Sequence, residues 1–157
     1  MSIENVTEYL TQRGAADKIR RFDVSSATVE LAAQALGCEG ARIAKTMSFL
    51  VDGHAVLIVT AGDTKVNSSK FKAAFHTKAK MLTADQLPEL VGHAPGGVCP
   101  FAVNEGCETY LDESLKRFDV VYPAAGDAAS AVELTVEELE RYARSAGWVD
   151  VCSPIGN

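Results

Sequence analysis

Two apolar, β-branched runs, Ile43–Val51 and 55–60, are separated by only Asp52, Gly53 and His54. Asp-Gly readily adopts the positive φ angles of a tight hairpin turn, so the runs read as one antiparallel hairpin. A hairpin alone is marginal in water, so the rest of the chain must supply further strands or helices to cover it. Alternation along the first strand places Ile43, Lys45, Met47, Phe49 and Val51 on one face and Ala44, Thr46, Ser48 and Leu50 on the other.

The flanking segments supply that cover. Ile3, Val6, Tyr9 and Leu10 after Ser2 predict a short amphipathic helix ending near Gly14, and a brief strand is expected over 19–24. Val29, Ala32, Ala33 and Leu36 recur at helical spacing, with hydroxyl residues before them and Gly37 after. Ser68 or Ser69 can cap a helix carrying Phe71, Ala74 and Phe75, and Thr83–Gln86 has the form of a capping box before a short helix made irregular by Pro88. Residues 92–100, with three glycines and two prolines, read as a loop. Strands are expected near Val103, over 109–111, 120–122, 132–134 and 148–151. A closing helix starts at the Thr135–Glu138 capping box, with Val136, Leu139, Ala143 and Ala146 inward. Strands outnumber possible crossover helices. The expected fold is therefore α+β (mixed α/β in a loose sense): a largely antiparallel mixed sheet or partial barrel flanked by helices, in one domain over 1–157.

With 47% hydrophobic and 23% charged residues, the chain is composed to fold. Its N-terminus lacks a basic, apolar leader and no window reaches a membrane span, so a cytoplasmic protein with no membrane contact is expected. Cys38, Cys99, Cys107 and Cys152 stand far apart, without metal-ligand spacing, so they read as free thiols, and no metal or cofactor is expected. The net charge of −6 excludes a nucleic-acid interface wrapping much of the surface. Residues 64–80 nevertheless carry Lys65, Lys70, Lys72, Lys78 and Lys80 with no acid. That stretch fits either a solvated helix face or contact with one phosphate-rich end.

Lys45 draws attention because it shares the greasier strand face. Its ammonium must reach a partner, a cleft or a substrate, or else snorkel to water. Gly96-Gly97-Val98-Cys99-Pro100 is either a plain turn or a loop whose N–H groups can be aimed at a carbonyl or phosphate. Asp63, just beyond the second strand, could line a cleft or simply form a turn. Cys99 has no histidine at a recognisable thiol-enzyme spacing. His54 at the hairpin tip, His76 after a helix and His93 in the loop read as solvent-exposed.

Taken together, Arg42-Ile-Ala-Lys45-Thr-Met-Ser-Phe-Leu-Val51, Gly62-Asp63-Thr-Lys-Val-Asn67, the 96–100 loop and Val132-Glu-Leu-Thr-Val-Glu-Glu-Leu139 resemble the YbaK/EbsC family, over nearly the whole chain and in order. That family is related to the editing domain inserted in bacterial prolyl-tRNA synthetases. The resemblance implies a freestanding deacylase that clears Ala, Cys, Ser or Thr from a mischarged tRNA, tRNA-Pro or a related one, alone or docked on a synthetase. It places the family's lysine on Lys45 and the family's Gly-x-x-x-Pro loop on Gly96, Gly97, Val98, Cys99 and Pro100; Thr46, next to Lys45, and Asp63 are further candidate substrate contacts. The tRNA's own ribose hydroxyl would assist. Val98 and Cys99 are the side chains expected nearest the amino acid. The chain departs from some relatives in having Cys99 inside the loop and Ala131 in place of a serine. A non-catalytic tRNA- or aminoacyl-binding module is the alternative from the same fold, and an interaction protein docking an acidic partner on its lysines is a third.

Overall fold

The computed structural model describes residues 2–22 and 28–155. They form, in chain order, α1 (Ser2–Thr11), β1 (Ile19–Arg21), α2 (Val29–Leu36), β2 (Ile43–Val51), β3 (His54–Ala61), β4 (Thr64–Val66) and α3 (Ser68–Phe75). After a long loop come β5 (Glu108–Asp112), β6 (Val120–Pro123), β7 (Ser130–Val132), β8 (Leu134–Thr135), α4 (Val136–Tyr142), β9 (Gly147–Val149) and β10 (Cys152–Pro154).

The hairpin closes as its turn residues dictate: Asp52 and Gly53 sit at φ 52° and 82°, both left-handed. β2 and β3 then pair in register from Ala44↔Ala61 to Val51↔His54. They form the middle of a six-stranded sheet ordered β8-β6-β2-β3-β5-β9. β3 is buried along all but its first residue, which is why its sequence is continuously apolar rather than alternating. The β2–β6, β3–β5 and β5–β9 pairs are parallel. The β2–β3, β6–β8, β1–β7 and β4–β10 pairs are antiparallel. The isolated bridges Phe49↔Met81 and Ala124↔Ala131 carry the sheet onward at its margins, so it curls as a half-barrel. One face packs Val59, Phe101, Leu111 and Leu139 with Val6 and Leu10 of α1, and the other packs Phe49, Val56 and Ile58 against Phe71 of α3. This is the mixed α+β architecture expected.

Local signals held where both partners lie within a few residues. Thr135 and Glu138 exchange capping-box bonds of 2.9 and 3.1 Å. Thr83 and Gln86 do the same at 2.9 and 3.3 Å, but the chain continues as a π-type turn over Leu87–Val91, because Pro88 has no N–H to continue an α-helical ladder. The cap of α3 is Asn67, whose side chain accepts from the Lys70 N–H, and neither Ser68 nor Ser69 serves. The first strand covers only Ile19–Arg21, and Val24 lies outside the described residues. No strand forms at Val103. The 132–134 run splits into β7 and β8 at Glu133, whose N–H turns to the Lys18 carbonyl. The 148–151 run splits because the Val151 N–H goes to Asp112 Oδ1 at 2.8 Å. β4 was not anticipated, since only its distant partner β10 makes it a strand. Among the described residues no helix is long and apolar enough to cross a membrane.

Candidate active site

β2, α2, the 92–100 loop and the β6–β7 connection enclose a cavity of about 310 Å³. Lys45, Thr46 and Ser48 of β2 line it, as do Gly96 and Val98 of the loop and Asp127 and Ser130 of the connection. β3 pairs with β2 from Ala44 to Val51, and β6 pairs with it only at Ile43 and Ala44, so the cavity-lining residues of β2 are held in the sheet chiefly by β3.

Lys45 is half-buried and, among the described residues, its ammonium makes no ion pair or hydrogen bond, although its carbonyl accepts from Thr60 Oγ1 at 3.5 Å. Burial pushes its pKa below the ordinary lysine value, against the pull of Cys152, Asp63 and Glu30. Next in sequence, Thr46 Oγ1 is buried without a hydrogen-bond partner among the described residues. The unpaired ammonium is costly in the empty protein and is available to a ligand in the cavity, whereas the Thr46 hydroxyl is buried away from solvent.

The loop forming the next wall is tied down at its base. The Asn104 N–H meets the Val91 carbonyl at 2.9 Å, and the Gly97 N–H meets Ala94 O at 3.1 Å. His93 Nε2 lies 2.7 Å from the Phe101 carbonyl. A carbonyl only accepts, so Nε2 carries the proton, and burial lowers the ring's pKa and keeps it neutral. The Gly96 and Val98 N–H groups carry no hydrogen bond among the described residues. They are the donors a substrate oxygen could use.

Residues 24–142 match the family model described as the aminoacyl-tRNA editing domain. The chain belongs to the aminoacyl-tRNA editing domain family. It is 45% identical over 153 residues to the uncharacterized protein YwhH of Bacillus subtilis, covering 97% of this chain and 98% of that one. It is 30% identical over 114 residues to a proline–tRNA ligase of Leuconostoc citreum, covering 71% of this chain but only 20% of the ligase. A solved structure described as a candidate trans-editing enzyme for prolyl tRNA synthetase superposes with a TM-score of 0.88 at 28% identity, covering 97% of each chain.

In this editing domain the residues singled out from the sequence do not all meet at the cavity. Lys45, Thr46, Gly96 and Val98 do. Gly97 is pressed against the neighbouring connection, where an added Cβ would stand 2.4 Å from Gly126 O. Cys99 turns into the core beneath the loop, fully buried, and burial pushes its thiol up to about 12. It stays protonated at neutral pH and is no nucleophile. Pro100 lines a separate depression with Asn104 and Arg144. Asp63 is held by Arg117 in a two-pronged pair of 2.9 and 2.6 Å, whose hydrogen bonds keep its carboxyl below the usual range. His93, expected at the surface, is 1% exposed, because the loop folds back to offer it the Phe101 carbonyl. Asp127 and Ser130 were missed, as no motif marks them. Among the described residues no three His, Cys, Asp or Glu side chains group as a metal site. With neither thiol nor imidazole lining it, the cavity is equipped to orient and polarise a substrate rather than to attack it.

Proposed function

We propose that this chain hydrolyses, in trans, the ester of tRNA mischarged with a small amino acid such as Ala, Cys, Ser or Thr. The observation that carries the reading is the unpaired Lys45 facing the same cavity as the free amides of Gly96 and Val98. Family membership and the structural relative described as a candidate trans-editing enzyme support it. An aminoacyl ester is already activated, so positioning and stabilisation of the developing oxyanion suffice. The loop amides hold the carbonyl oxygen, while the Lys45 ammonium orients the ester or its neighbouring phosphate. Water adds to the carbonyl carbon and the ester C–O bond breaks. The ribose oxygen leaves with a proton from that water, releasing the free amino acid and intact tRNA. A synthetase pocket separates small side chains by only about 1–3 kcal/mol, which is the gap a second site fills.

A panel of mischarged tRNAs tests the reading: Ala-, Ser-, Cys- and Thr-tRNA should lose their amino acid and prolyl-tRNA should not. Binding of every substrate without release would make the chain a non-catalytic binding module. Val98 forms part of the cavity wall, so Val98→Phe should slow the larger of these substrates first by steric overlap. An unchanged ranking would remove Val98 from the amino-acid side of the site.

The lysine-rich stretch is proposed to contact tRNA phosphates. Lys70 is already engaged with Asp150 at 3.2 Å and the Cys152 carbonyl at 2.8 Å, tying α3 to β10. Lys72 and Lys78 make no ion pair among the described residues, and they line a depression beside the Ser68 and Ser69 start of α3. Reversing both to Glu should weaken tRNA binding and reduce its salt dependence by about one unit of slope per lost contact, with the folded state unaffected. Identical salt slopes for variant and wild type would leave these lysines as a solvated face.

A further inference from the structure

The cavity holds a second charge that the deacylase reading has not used. Asp127 lines it from the β6–β7 connection, and its backbone abuts the glycine loop: an added Cβ on Gly97 would stand 2.9 Å from Asp127 Cα. Among the described residues the carboxylate is held at one end only. Oδ1 accepts from Ser130 Oγ at 2.7 Å and from the Ala129 N–H at 2.9 Å, whereas Oδ2 has no partner among the described residues. Ser130 is itself 3% exposed, and the Phe22 N–H pins the connection through the Ala129 carbonyl at 2.8 Å. The side chain is thus preorganised, with one oxygen engaged and the other unengaged among the described residues.

Lys45 and Asp127 line the same cavity of about 310 Å³ and yet form no ion pair. Two opposite charges kept apart in a small cavity suit a ligand bearing both signs with a fixed separation. An apolar ligand would leave both unanswered. The 3′ end of an aminoacyl-tRNA has this pattern, with a phosphodiester on one side of the ester and a protonated α-amine on the other.

We infer that Asp127 is the acceptor for the α-ammonium group of the aminoacyl substrate, with Ser130 as the positioning residue that aims its free oxygen. The inference rests on the deacylase reading and extends it to a selectivity: the site takes aminoacyl esters with a free amine and spares those whose amine is acylated, such as formylated or peptidyl esters. Acylation removes the positive charge and leaves Oδ2 facing a neutral amide.

The test compares one alanyl-tRNA with its N-acetylated form, on wild type, Asp127→Asn and Ser130→Ala. A charge-assisted hydrogen bond lost from a desolvated site corresponds to roughly a 10- to 100-fold change, so wild type should favour the free amine by about that factor. Asp127→Asn should narrow the preference to within a few-fold by slowing only the free-amine substrate. Ser130→Ala should narrow it partly, through KM more than kcat. A damaged fold would instead slow both substrates alike, and that result, like equal wild-type rates on both, overturns the inference while leaving the deacylase reading standing. Wild-type hydrolysis of neither ester removes the deacylase reading, and the inference falls with it.

Discussion

Lys45→Met is expected to lose about 10²- to 10³-fold in deacylation rate, the size of effect seen when a preorganised electrostatic group is taken from a site where charge develops. It is also expected to unfold no earlier than wild type. The two halves together separate a functional lysine from a structural one. Burial lowers the folded-state pKa of Lys45 below its ordinary value of 10.5. Between that lowered value and the ordinary one, the unfolded chain binds more protons than the folded chain, so this group makes stability rise as pH climbs through the window. At neutral pH its charge therefore opposes folding, and no ion pair among the described residues offsets it. An isosteric apolar side chain relieves that opposition, by up to about 1 kcal/mol. The same shift makes wild-type activity decline with rising alkalinity sooner than an ordinary lysine would. Thermal melts beside single-turnover deacylation check both halves. A Lys45→Met protein that is less stable and still active would make Lys45 a structural residue.

Gly97→Val should impair every substrate alike, in contrast to the size-dependent effect expected of Val98→Phe. An added Cβ at Gly97 would meet Gly126 O at 2.4 Å, Gly126 C at 2.8 Å and Asp127 Cα at 2.9 Å, all of them backbone that cannot swing aside. The loop must then lift off the β6–β7 connection. Overpacking of this kind costs about 1–3 kcal/mol of stability. Displacing the amides of Gly96 and Val98 by an ångström is worth about a further 10²-fold in rate. The glycine is thus required by close approach of two loops rather than by approach to a ligand. Gly96, left-handed at φ 88° but with nothing within 4 Å of a would-be Cβ, should tolerate Ala with a smaller loss. Wild-type rates and melting temperature for Gly97→Val would contradict this packing.

The features legible in the sequence are those decided by neighbours in the chain. Asp52-Gly53 closes the hairpin by its own backbone preference, and once the hairpin exists, alternation says which residues share a face with Lys45. The Thr135–Glu138 box is likewise complete within four residues. The features that stayed hidden are settled by partners far along the chain. Asp127 reaches the cavity only because the β6–β7 connection packs on a loop thirty residues earlier, and nothing local to Gly126-Asp127 announces it. Asp63 looked equally suited to a cleft or a turn until Arg117, 54 residues away, took both of its oxygens. Cys99 and Val98 are adjacent in one loop, and chain direction alone could not say that Val98 would face the cavity and Cys99 the core. His93 shows the same limit, since a polar side chain in a glycine-rich loop becomes a buried brace once a carbonyl eight residues on folds over it.

The aminoacyl end of the tRNA is expected to occupy the cavity between β2 and the glycine loop. The most direct measurement is backbone amide chemical-shift mapping on titration with 3′-alanylamido-adenosine, in which an amide replaces the labile ester. The perturbed amides should be those of Lys45, Thr46, Gly96, Val98, Asp127 and Ser130, which come from three separate segments but line one cavity. Shifts centred instead on the depression lined by Asn104, Gly106 and Arg144, with β2 and the loop amides unmoved, would contradict the claim.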